Sequence, residues 1–221
     1  MNRDPVEIFY MIVAFLFAIC VHESAHAWTA NKCGDPTARM LGRISLNPIR
    51  HIDPIGTILV PAIGLYTGFG FIGWAKPTPV DPRNLRHPVR DDILTSVAGP
   101  VSNMIVTFFA LLAMQIMVFT IRGPLSDTSI VHPIYSLLAV FVQINILLAA
   151  FNLIPIPPLD GSHVMRHLLS ESAQRVYDML GYVFLMLMFF TRIGGVLIGI
   201  FEIPFVVFFQ LLFPRLMHSL Y

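Results

Sequence analysis

The sequence predicts an all-α membrane protein, a polytopic transmembrane bundle of four to six spans with a short re-entrant segment and a β-hairpin between the first two secure spans. Three observations predict it. Of 221 residues, 56% are hydrophobic and only 12% are charged, where an ordinary soluble domain carries roughly a quarter charged residues. Mean hydropathy is +0.73. Several largely apolar stretches are long enough to cross a bilayer, which takes about 20 apolar residues at ~1.5 Å each.

The first such stretch covers residues 6–30. It follows Met1-Asn2-Arg3-Asp4-Pro5 and is read as a retained span, because cleavage after it would remove the motif it carries. Residues 93–121 and 130–159 contain no Asp, Glu, Lys or Arg, and residues 179–201 are interrupted only by Arg192. These give the second, third and fourth spans. Residues 203–214 are apolar but short, and are expected to form a tilted or interfacial helix. Residues 52–66 are apolar yet broken by Pro54, Gly56, Pro61 and Gly64, with cations on both sides, so a re-entrant excursion is expected. Gly68 to Val80 mixes aromatic and β-branched residues with glycine and proline, which predicts a hairpin or extended strand. Its residues Gly70, Phe71, Ile72, Gly73 and Trp74 are the candidate edge for pairing with an extended substrate.

Charge placement orients the spans. Lys32, Arg39, Arg43, Arg50, Lys76, Arg83, Arg86 and Arg90 lie between the first two, and Arg166 and Arg175 follow the third. Positive loops face the cytoplasm, which places residues 31–91 and 161–176 inside and the N-terminus outside. A net charge of +1 excludes a strongly basic nucleic-acid binder. Cys20 and Cys33 form no C-x-x-C pair, so neither a disulfide framework nor a thiolate site is expected. No internal repeat or low-complexity tract divides the chain, and residues 1–221 are expected to form a single intramembrane domain.

Within the first apolar stretch, His22-Glu23-Ser24-Ala25-His26 fits H-E-x-x-H. Histidines at i and i+4 share one helix face and suit one Zn²⁺ per chain; the intervening Glu23 is placed as a general base. A catalytic zinc usually takes three protein ligands. Acids inside a membrane are rare because they are expensive, which leaves Asp160 and Glu202 as candidates. Asp160 ends Asn152-Leu-Ile-Pro-Ile-Pro-Pro-Leu-Asp160-Gly161, where three prolines forbid regular helix and the chain must unwind. The competing role for Asp160 is capping the next helix. Asn145 lies two turns before Asn152 and is expected to share its face. His51, His87, His132, His163, His167 and His218 read as interfacial polar residues.

An apolar H-E-x-x-H helix followed by Asn-x-x-Pro-x-x-Pro-x-Asp-Gly resembles the site-2 protease family of intramembrane zinc metalloproteases, in a minimal form without PDZ or CBS domain. The resemblance implies His22, His26 and Asp160 as zinc ligands, Glu23 as general base, and Asn152 beside the scissile carbonyl as an oxyanion donor. Gly99-Pro-Val-Ser-Asn103 matches a further Gly-x-x-x-Asn motif of the family, making Asn103 an active-site or packing candidate. It implies cleavage of transmembrane segments near the cytoplasmic face, with single-span membrane proteins or signal-peptide remnants as substrates. The setting it implies is the lipid bilayer of a bacterial or archaeal cell membrane. The alternatives are a catalytically silent membrane adaptor and a metal-binding membrane protein. A metal transporter would show further polar residues along a path and often a repeat; neither is present in the sequence.

Overall fold

The computed structural model describes residues 4–67, 73–120 and 131–221. Two compact units divide the chain, residues 1–99 and 100–221, with the boundary at Gly99-Pro100.

Helix α1 (Pro5–Cys33) begins where Asp4 accepts a hydrogen bond from the Val6 amide at 2.9 Å and Pro5 takes the first position, where its missing N–H costs nothing. It ends at Gly34, whose φ of 116° lets its amide reach back to the carbonyls of Ala30 and Asn31. One face (Phe15, Ala18, Ile19, His22, His26 and Ala30) is buried at helical spacing, while Phe9, Ile12, Phe17 and Trp28 are exposed. After it, α2 (Thr37–Met40) packs back on α1. Buried Asp35 holds this turn to the chain at 81–84. It accepts from the Thr37 amide at 3.1 Å, the Asp81 amide at 2.8 Å and the Asn84 side chain at 3.0 Å.

Residues 54–67 form a π-turn (Pro54–Leu59) running into α3 (Val60–Thr67), with Asp53 accepting from the Ile55 and Gly56 amides at the start. This short apolar helix spans about 20 Å at ~1.5 Å per residue, less than a bilayer core of ~30 Å.

The expected hairpin is corrected. Residues 68–72, with Gly70, Phe71 and Ile72, lie outside the described residues, and no strand occurs among those described. Residues 73–81 run as an extended arm whose donors go elsewhere than to a strand. The Trp74 amide donates to the Gly56 carbonyl (3.1 Å) and the Lys76 amide to the His51 carbonyl (2.8 Å). The Thr78 amide donates to Glu23 and the Asp81 amide to Asp35. The Trp74 carbonyl is itself taken by the Thr57 hydroxyl at 2.8 Å. Pro77 and Pro79 have no N–H. Trp74 and residues 76–79 are therefore unable to serve as a pairing edge in this conformation.

In residues 100–221, α4 (Pro88–Thr120) contributes Ala110, Leu111 and Met114 to a core with Val142 and Ile146 of α5 (His132–Asn152). Phe209 of α8 (Arg192–Leu212) and Leu216 and Met217 of α9 (Pro214–Leu220) complete it. The third apolar stretch leaves helix at Asn152, as the prolines dictate. A turn with a cis Pro157–Pro158 bond leads through Asp160 into α6 (Gly161–Arg166). This turn rests on α7 (Glu171–Phe190). Tyr177 donates to the Pro155 carbonyl at 2.9 Å, and a Cβ on Gly181 would lie 2.6 Å from Pro157 Cβ.

The fourth span is shifted from its expected place. Residues 179–201 straddle a break at Thr191, whose extended backbone separates α7 from α8 and whose hydroxyl caps the Ile193 amide at 3.3 Å. Gly194 passes so close beneath Met188 that a Cβ would sit 2.1 Å from its carbonyl oxygen. The helix long and apolar enough to cross is Ile193–Leu212, which absorbs the segment expected as a separate short helix. Four such helices are present among the described residues, the others being Pro5–Cys33, Pro88–Thr120 and Val131–Asn152.

Candidate active site

His22 and His26 lie side by side on the buried face of α1, ring centroids 4.7 Å apart. His26 Nδ1 is 2.7 Å from the Thr95 carbonyl. A carbonyl only accepts, so Nδ1 carries the proton and Nε2 presents its lone pair, as a metal ligand must. Gly99 defines where both rings point. A Cβ built there would fall 2.3 Å from His26 Nε2 and 2.6 Å from His22 Nε2. The two Nε2 atoms thus converge on the space left open by the missing side chain. Two imidazole nitrogens converging on a buried niche are a donor set that fits Zn²⁺.

Glu23, between them on the helix, is half-buried and is held from both ends by Thr78. The Thr78 amide donates to Glu23 Oε2 at 2.9 Å and its hydroxyl to the Glu23 backbone carbonyl at 3.0 Å. The arm that brings Thr78 here is itself clamped. Buried Arg43 donates to the carbonyls of Lys76 (2.7 Å), Pro77 (2.5 Å) and Arg50. Burial lowers the Arg43 pKa, while the Glu23 carboxylate raises it. Ser24, next along the helix, donates to the Ser45 carbonyl at 2.5 Å, and His51 Nε2 lies 2.7 Å from the same oxygen. Burial pushes the His51 pKa down against that hydrogen bond, so the ring is neutral. Arg43, His51, Thr78 and Thr95 escape sequence reading. Arg43 reads as a topological cation and His51 as a loop residue, and only tertiary structure brings them to α1.

The other expected site residues lie in residues 100–221. Asn103 and Asn145 are fully buried and bonded to each other, Asn103 Nδ2 donating to Asn145 Oδ1 at 2.7 Å. Asn145 Nδ2 donates in turn to the Phe141 carbonyl at 2.8 Å. This is an interhelical clasp between α4 and α5. Asn152 is half-buried, and its Nδ2 donates to the Leu148 carbonyl at 2.9 Å, using one of two amide hydrogens. Asp160 precedes α6, yet its side chain makes no cap hydrogen bond, which sets aside its alternative role as a helix cap. The rival acid Glu202 accepts from the Tyr221 hydroxyl at 2.7 Å and so ties α8 to the end of α9.

Residues 115–191 match peptidase family M50. YwhC of Bacillus subtilis (strain 168), whose name describes it as a zinc metalloprotease, is 35% identical over 189 residues, covering 84% of this chain and 82% of that protein. Rip2 of Mycolicibacterium smegmatis, named likewise, is 27% identical across 77% of this chain; the match spans 61% of Rip2. Rip2 of Mycobacterium tuberculosis strain H37Rv is 26% identical over 82% of this chain and 67% of that protein. No solved structure matches the chain. With its apolar helices and its H-E-x-x-H niche, the chain belongs to peptidase family M50, the site-2 proteases, and is a multi-pass zinc metalloprotease.

Proposed function

We propose that this metalloprotease is an intramembrane endopeptidase that cuts membrane-spanning segments of single-span proteins or signal-peptide remnants near the cytoplasmic face of a bacterial or archaeal cell membrane. The observation that carries the reading is the placement of the His22–Glu23–His26 niche on α1, a helix whose other faces expose Phe9, Ile12, Phe17 and Trp28 as a lipid-facing surface would. Residues 1–221 act as one catalytic domain, and the 54–67 helix, too short to cross, dips into the bilayer and returns.

His22, His26 and Asp160 hold one zinc per chain. Bound there, zinc supplies Lewis acidity toward the scissile carbonyl and acidifies a water molecule. Glu23 takes the proton from the attacking water and returns it to the leaving amine. Thr78 holds the Glu23 carboxylate in a fixed rotamer while it does so. The second amide hydrogen of Asn152 stabilises the oxyanion. A substrate helix must unwind to expose a carbonyl, and the prolines of the 76–79 arm leave that arm's own pairing capacity out of the exchange. The backbone of residues 70–73 is the remaining candidate for receiving the unwound strand.

The test compares new N-termini in membranes from cells expressing the wild type and Glu23→Gln. Cleavage sites inside predicted spans, lost in the variant, support the proposal. Sites confined to soluble segments, or unchanged in Glu23→Gln, overturn it. Zinc content measured on the same preparations, with Asp160→Ala and Glu202→Ala, identifies the third ligand independently of any substrate.

A further inference from the structure

Residues 39–50 expose large apolar side chains in a loop where solvent would disfavour them. Around a cavity of about 380 Å³ stand Leu41, Arg43, Ile49, Arg50, Lys76, Pro77 and Pro79. Leu41 is 59% exposed and Ile49 77%, while Arg43 at the floor is only 5% exposed. Arg50 and Lys76 are exposed at the walls. Neither forms an ion pair with a carboxylate among the described residues, in contrast to exposed Arg83, which closes on Asp81 at 2.7 Å. The Arg43 guanidinium is spent on backbone carbonyls, which occupy its donors but carry no neutralising charge. The Glu23 carboxylate acts on Arg43 from the helix side, so the cavity presents two uncompensated positive charges, Arg50 and Lys76, beneath an apolar lip.

Such a combination matches one chemistry, an anion joined to hydrocarbon. A soluble anion would leave Leu41 and Ile49 in water, and an apolar chain alone would leave Arg50 and Lys76 uncompensated. Basic residues beside a transmembrane helix attract anionic headgroups, and neighbouring apolar side chains enter the acyl boundary. The volume falls in the range of small-molecule pockets, roughly 300–1,000 Å³. We propose that this cavity binds the headgroup of an anionic phospholipid, with Arg50 and Lys76 on the phosphate and Leu41 and Ile49 against the proximal acyl chains. The site lies wholly within residues 1–99, and its test reads lipid retention rather than the reaction proposed above.

The test uses the full chain in nanodiscs of mixed phosphatidylglycerol and phosphatidylcholine, with retained lipids counted by native mass spectrometry. Three proteins are compared: wild type, Arg50→Gln/Lys76→Gln, and Arg83→Gln/Arg86→Gln, which removes the same charge from elsewhere in the loop. The wild type and the control variant retain phosphatidylglycerol preferentially, and the Arg50/Lys76 variant loses that preference by about tenfold or more. Leu41→Ser/Ile49→Ser, which keeps every charge, weakens retention as well. Equal retention by all proteins overturns the site, as does equal loss in the Arg83/Arg86 control. Complete displacement of the lipid by millimolar inorganic phosphate shows a free-anion site and overturns the lipid assignment. Unchanged zinc content across the variants verifies that each is folded.

Discussion

The backbone amide of Thr78 meets the carboxylate of Glu23 at 2.9 Å across a sequence separation of 55 residues. The loop between the first two long helices is thereby part of the candidate active site. A glutamate on a helix surface would otherwise sample several rotamers, and here one rotamer is selected by a donor that cannot itself rotate away. Removing the Thr78 hydroxyl leaves the amide in place, so Thr78→Val loses only the 3.0 Å bond to the Glu23 carbonyl. A loss of about 1 kcal/mol in stability is expected, with zinc content unchanged. Thermal unfolding in detergent measures it.

Arg43 acts on Glu23 through the arm. Its fork spans three carbonyls, and an alanine leaves those buried oxygens without donors. Arg43→Ala should destabilise the protein by at least about 2 kcal/mol. It should also release the amides of residues 76–81 to hydrogen exchange while the chain keeps its zinc. Arg43→Lys restores the charge but not the fork, so protection at Thr78 returns only in part. An Arg43→Ala variant with unchanged exchange at Thr78 would refute the clamp.

Gly99 is the tightest test of the metal niche. Any Cβ at this position occupies the space toward which both Nε2 atoms point. Overpacking of this kind costs about 1–3 kcal/mol, and each ~1.4 kcal/mol is tenfold in affinity. Gly99→Ala should weaken zinc binding by roughly 10- to 100-fold, read by competition with a chelator. Zinc affinity equal to wild type would mean that the histidines do not converge on that space.

The Asn103–Asn145 pair predicts a different pattern. Both residues are fully buried and bonded to each other, so Asn145→Ala should lower stability by about 1 kcal/mol and leave zinc content intact. In a double-mutant cycle with Asn103→Ala the two losses should be less than additive, since each substitution breaks the same 2.7 Å bond. Additive losses would refute the clasp.

Asp35 makes the fold sensitive to acid. Burial raises its pKa, but donation from the Thr37 and Asn84 side chains and from the Asp81 and Thr37 amides outweighs burial and leaves it below the usual carboxylate value. The carboxylate therefore stabilises the protein above the unfolded pKa of about 3.9, and this contribution is lost as pH falls through the lower folded value. Asp35→Asn should be less stable than wild type at pH 7, and the gap should close progressively below about pH 4. A gap that persists undiminished at pH 2.5 would assign the effect to something other than ionisation.

Much of this was legible because hydropathy and metal-ligand spacing are local. The long apolar runs locate α1, α4 and α5, and the prolines after Asn152 place the end of α5 correctly. His22 and His26 share a face because any helix puts them there. The fourth span failed for a conformational reason: an averaged apolar window passes through Thr191 unaffected, although an extended residue capping Ile193 ends one helix and starts another. The hairpin failed because composition reports extended backbone but not its partners, and here the partners are side chains and carbonyls of other segments. Thr95, Gly99, Arg43 and Thr78 acquire meaning only once the chain returns to α1.

Two prolines flanking Thr78 have a consequence for copies of the protein crowded in one membrane. An exposed extended segment normally invites a neighbour to add its own backbone in register, the first step toward ordered aggregation. Residues 76–79 offer no such template: alternate positions lack a donor, and the donors between them face inward. This stretch can stay extended at high density without zipping to its counterpart on the next molecule.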